Sequence, residues 1–63
     1  MNFEQAGALA EQIEREAAGT TATVQSDGMN TFTYHIDVHK PDVIQFCIRS
    51  VEQWNARKCL LSK

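Results

Sequence analysis

Pro41-Asp42-Val43-Ile44-Gln45-Phe46-Cys47-Ile48-Arg49-Ser50-Val51-Glu52-Gln53-Trp54 is the stretch on which the reading of the fold turns. Wound as a helix, it spreads Val43, Ile44, Phe46, Cys47, Ile48, Val51 and Trp54 over roughly 200°, about twice the apolar stripe of an ordinary surface helix. Pro41 suits a first helical turn and Asp42 the positive end of a helix dipole. The expectation is therefore one helix over about 41–58. Beyond Trp54, Arg57 and Lys58 project into the same angular range as Val43 and Val51, so Leu60 and Leu61 are left to fold back, fray or join a partner. Such a helix has more apolar surface than a small body can cover, and small domains rarely leave a large contiguous patch in water. Phe46, Ile48, Val51, Trp54 and Arg57 are accordingly the expected partner-binding residues, Trp and Arg being enriched at binding hot spots.

Immediately upstream the period is two. Thr31 to His39 alternates, with Phe32, Tyr34, Ile36 and Val38 on one side and Thr31, Thr33, His35, Asp37 and His39 on the other, polar side. Thr20 to Gln25 is rich in β-branched residues. Between the two runs Ser26-Asp27-Gly28-Met29-Asn30 supplies Asp-Gly, a strong turn signal. Strands over about 20–26 and 31–39 follow, paired antiparallel.

At the start, Asn2 and Gln5 have capping-box spacing, and Phe3, Ala6, Leu9, Ala10, Ile13 and Ala17 fall within about 120° on a helix. A helix over about 2–18 is expected, with Gly19 as its left-handed terminator. Its alanines would let the Pro41 helix lie across it. The resulting fold class is α+β: a small αββα domain, residues 1–63, whose two-stranded hairpin is covered on one face by two helices. Because a lone hairpin exposes two edges, pairing with a second copy into a four-stranded sheet is the preferred assembly, and a dimer through the Ile48 side of the second helix the alternative.

With 63 residues, a single core supplies about 3 to 5 kcal/mol, which itself favours association. Hydrophobic residues make up 43% and charged residues 22%, in the range of chains that fold. The net charge of -2 divides unevenly: residues 1–30 carry five acids and one base, residues 31–63 three acids and five bases. That split lacks the concentrated Lys/Arg patch that nonspecific phosphate binding requires. No secretory signal, membrane span or lipid anchor is read in the chain. On one helix Cys47 and Cys59 would lie about 18 Å apart, beyond disulfide reach, and two free thiols fit a reducing, cytoplasmic setting.

His35, Asp37 and His39 share a strand face with neighbours about 6.6 to 6.8 Å apart. Two imidazoles can chelate at such a spacing, but a zinc site needs three or four convergent ligands and neither cysteine has zinc-ligand spacing. No metal or cofactor is therefore assigned. On the apolar arc Cys47 reads as a small hydrophobe rather than a nucleophile served by His35 or His39. Cys59, beside Lys58, reads as exposed and reactive towards thiol probes. Glu11, Glu14 and Glu16, with Arg15 among them, read as a solvated face, and no phosphate-binding or hydrolase string occurs. The functional expectation is a small non-enzymatic cytoplasmic interaction protein, a homodimer that binds and modulates a larger protein. Bacterial and phage accessory proteins of this size include inhibitors, adaptors and regulators. Two further classes stay open. One is nucleic-acid binding through Arg49, Arg57, Lys58 and Lys63 with Trp54 nearby; the other is a metal-bridged dimer through His35 and His39.

Overall fold

The computed structural model describes residues 1–29 and 32–61. Asn30 and Thr31, expected at the turn and the strand start, and Lys63 of the basic flank lie outside the described residues. The elements run α1 (Phe3–Glu16), β1 (Thr21–Ser26), β2 (Tyr34–Lys40), β3 (Ile44–Ile48), α2 (Val51–Arg57), then a 3-10 turn over Lys58–Leu61. The three strands form an antiparallel sheet in the order β1-β2-β3.

α1 starts as its sequence requires. The Asn2 side chain accepts from the Gln5 amide at 2.8 Å and the Gln5 side chain accepts from the Asn2 amide at 3.1 Å, a complete capping box. It ends at Ala17, two residues before Gly19. Gly19 does adopt a left-handed φ of 85°, in the turn closed by the Thr20 amide on the Ala17 carbonyl. β1 and β2 pair in the register Val24 opposite Ile36 and Ala22 opposite Val38. The expected hairpin is present.

The stretch 41–58 is not one helix. Its first part is a turn and a strand, so the architecture is αβββα rather than αββα. The Val43 amide bonds the Lys40 carbonyl at 3.0 Å and Asp42 has φ 63°. Proline at the second position and a left-handed residue at the third are the signature of a type II turn. Beyond it Ile44, Phe46 and Ile48 face the helices while Gln45 and Cys47 face away, the period of a strand. A helix begins only at Ser50, whose hydroxyl accepts from the Gln53 amide at 3.2 Å while the Gln53 side chain accepts from the Arg49 amide at 2.6 Å. The roughly 200° apolar arc was thus two patterns in series, a strand and a helix, and not one continuous helical face. β3 occupies the β2 edge, one of the two edges that the expected hairpin would have exposed.

The core is Ala6, Leu9, Ala10 and Ile13 of α1 against Ile36, Val38 and Ile48 of the sheet, closed by Trp54 and Leu61. The α1 alanines admit the sheet rather than a second helix, with α1 over β1 and β2 and α2 beside β3. Trp54 ties the two helices together by donating its Nε1–H to Glu16 at 2.9 Å. That bond is the main cause of a Glu16 acidity greater than usual. Leu61 folds back into the core, fastened by Lys40 Nζ on its carbonyl at 2.9 Å, while Leu60 stays exposed.

Candidate functional site

Both helices pack on one face of the sheet, so the other face consists of the alternate residues of each strand. Thr21, Thr23 and Gln25 of β1 stand opposite His39, Asp37 and His35 of β2. Asp37 and His39 stand in turn opposite Cys47 and Gln45 of β3. The expectation that His35, Asp37 and His39 line a polar face is met. Cys47 joins them there, exposed, rather than lying in an apolar arc, because a strand sends it opposite to Phe46 and Ile48.

Three of these groups, His35, Asp37 and Cys47, form a connected constellation with Asp27 of the β1–β2 connection. His35 Nδ1 donates to Asp27 Oδ1 at 2.6 Å, and Asp27 is positioned by its own amide on the Thr33 carbonyl at 3.1 Å. In the neutral ring a proton on Nδ1 leaves the lone pair on Nε2, 3.6 Å from Asp37 Oδ1. Cys47 Sγ donates to that same Asp37 oxygen at 2.8 Å. One ligand atom from each of His35, Asp37 and Cys47 lies within 4.8 Å of the others. The hydrogen bond from His35, helped by Thr33 and the nearby Arg49, lowers the pKa of Asp27. The bond to Asp37, burial and the carboxylate charge raise that of Cys47, against the weaker pull of Arg49 and Arg57.

A Cys47–His35–Asp27 line has the order of a thiol triad, but its electrostatics oppose one. A nucleophilic cysteine needs a positive neighbourhood that favours thiolate, and here the thiol donates a hydrogen bond to a carboxylate, which favours the protonated form. The same donor set, one thiol, one imidazole and one carboxylate, is suited to a soft or borderline metal ion.

The expected partner-binding residues are dispersed. Ile48 and Trp54 are wholly buried core residues and cannot anchor a partner from the surface. Phe46 is half-buried beneath the Arg57 guanidinium, 5.9 Å from the ring centroid, and Arg57 also donates to the Cys47 carbonyl at 2.8 Å. Arg57 is thereby anchored to β3. Val51 alone of the five is exposed. His39 stays outside the constellation, whose third donor is Cys47. The sequence did contain signals for this site: the alternation of Ile44, Phe46 and Ile48 marks Cys47 as outward-facing, and Asp27 precedes the turn glycine. The first of these is hidden when residues 41–58 are read as one helix.

Large apolar side chains are exposed elsewhere. Met29 and Phe32 in the β1–β2 connection are 101% and 91% exposed, Phe3 63% and Val51 51%. Phe3 packs edge-on to Tyr34 at 5.4 Å, and the Tyr34 amide bonds the Met1 carbonyl. Val51 shares a depression of about 320 Å³ with Met1, Gln5, Arg49 and Ser50. These contacts place Phe3 and Val51 at the end of the molecule where α1 begins; Tyr34 there pairs with Ser26, the last residue of β1, so the connection that carries Met29 and Phe32 leaves the sheet at the same end.

Family models, curated proteins and solved structures yield no match to the chain. Among the described residues no helix is long and apolar enough to cross a membrane.

Proposed function

We propose that this chain is a small non-enzymatic interaction protein that binds and modulates a larger protein, using the apolar end formed by Phe3, Met29, Phe32 and Val51. The observation that carries this reading is the near-complete exposure of Met29 and Phe32, in the connection that leaves the sheet at the end where α1 begins. Aromatic and Met side chains are enriched at protein interfaces, and large apolar side chains exposed at one end offer a partner apolar area to bury. Both sheet edges, by contrast, carry side chains on their backbone groups. Glu14 accepts from the Ala22 amide of β1 at 3.1 Å, and Arg57 covers the Cys47 carbonyl of β3. Such edge coverage disfavours strand pairing with another chain. The homodimer and the larger partner are therefore best sought at the apolar end.

A photo-crosslinking residue placed at Phe32, with a second chain carrying it at exposed Thr23 as control, tests the reading in cells. Crosslinks to one larger protein at 32, lost in a Met29→Ser variant of unchanged thermal stability, are the expected result. Crosslinking at Thr23 but not at 32, or only to further copies of this chain, sinks it.

A further inference from the structure

We propose that His35, Asp37 and Cys47 form a mononuclear zinc site with one open coordination position facing solvent. The three donors come from two neighbouring strands. His35 and Asp37 are two apart on β2, and Cys47 is opposite Asp37 on β3, so the sheet register itself sets their separation. A tetrahedral zinc ion with ordinary Zn–N, Zn–O and Zn–S bonds keeps its donor atoms about 3.3 to 3.7 Å apart. Here Nε2 and Oδ1 are 3.6 Å apart and Sγ and Oδ1 2.8 Å. Insertion of the ion requires the thiol and carboxylate to part by about 0.7 Å, which side-chain rotation provides.

The support around the donors fits as well. A zinc-bound histidine almost always donates its other N–H to a carboxylate or carbonyl, which fixes the tautomer and aims the free nitrogen at the metal. Asp27 makes that bond at 2.6 Å, and the side chains of His35 and Asp27 are only 17% and 18% exposed. Binding breaks the S–H bond, forms the Zn–S bond and releases one proton to solvent. The thiolate, Asp27 and Asp37 then contribute three negative charges, which zinc and the neighbouring Arg49 balance. The thiolate also selects zinc or cobalt over magnesium or calcium. A solvent-facing fourth position would hold water, and could equally accept a donor atom from a bound molecule.

Titration of the reduced 63-residue chain with Co²⁺, followed by displacement with Zn²⁺, tests the proposal. One equivalent of Co²⁺ should produce a near-ultraviolet thiolate charge-transfer band together with the visible absorption of tetrahedral cobalt, and Zn²⁺ should abolish both. The band should vanish in Cys47→Ser and persist in Cys59→Ser. Asp27→Asn should keep the spectrum while weakening affinity about 10- to 100-fold. His35→Gln provides a second ligand variant, and circular dichroism checks that each variant is folded. A wild-type chain that shows no band overturns the site, as does a band that follows Cys59, or saturation at half an equivalent per chain, which would signify a metal bridging two copies.

Discussion

Ile36 and Asp37 are adjacent in the chain and stand on opposite faces of β2. Ile36 is completely buried beneath the helices, whereas Asp37 touches His35 and Cys47 on the face that no helix covers. The pairing register that brings Val24 and Ile48 to the flanks of Ile36 also brings Thr23 and Cys47 to the flanks of Asp37. One hydrogen-bonded scaffold thus builds two surfaces of different purpose. The covered face holds the fold together by apolar packing, and the open face carries polar groups at fixed separations without a role in the core. Stability and site chemistry should consequently respond to different substitutions, even at neighbouring positions.

The largest effect that would expose this division is expected at Ile36. Ile36→Ala removes a fully buried side chain at a cost of about 2 to 5 kcal/mol, comparable to all the stability a core of this size provides. Urea denaturation should find the variant largely unfolded at room temperature. A stable variant would mean that the covered face is not the source of stability. A smaller effect, again on the covered side, is expected from acid. The pKa of Glu16 is lowered in the folded chain, chiefly by the Trp54 hydrogen bond, so its contribution is complete above the ordinary glutamate value of 4.5 and is lost as pH falls through the lower folded value. Melting temperature should therefore decline below pH 4.5, less steeply in Glu16→Gln, and equal slopes in the two chains would remove Glu16 from the account. The smallest effect belongs to the open face. Thr23→Ala, directly opposite Asp37, should change unfolding free energy by less than about 0.5 kcal/mol, and a larger loss would show that this face is covered in solution.

Local chemistry was enough to read α1, because the Asn2–Gln5 box and the narrow apolar stripe of Ala6, Leu9, Ala10 and Ile13 all demand the same helix. It was also enough for the β1–β2 pairing, where the alternation of Tyr34, Ile36 and Val38 has no helical counterpart. Between Pro41 and Trp54 the local signals conflicted. Apolar residues at 43, 44, 46, 48, 51 and 54 satisfy a wide helical arc and also a strand followed by a helix. The breaks in that stretch, a type II turn at Pro41–Asp42 and a cap at Ser50, each resemble a feature of a continuous helix when read alone. The candidate site was legible only in half for the same reason. His35 and Asp37 followed from strand period, but Cys47 could join them only once its segment was known to be a strand.

The sequence by itself therefore determined an α+β chain with a capped first helix, a hairpin of known facing, and a row of His35, Asp37 and His39 set away from the core. Which conformation residues 44–48 adopt was decided by the tertiary structure. β2 had a free edge whose amides and carbonyls needed partners, and Ile44, Phe46 and Ile48 could extend the buried face only as a strand beside it. The same pairing sent Cys47 to the opposite face and carried it to Asp37 across ten residues of chain, a meeting that strand register creates and that no local pattern contains.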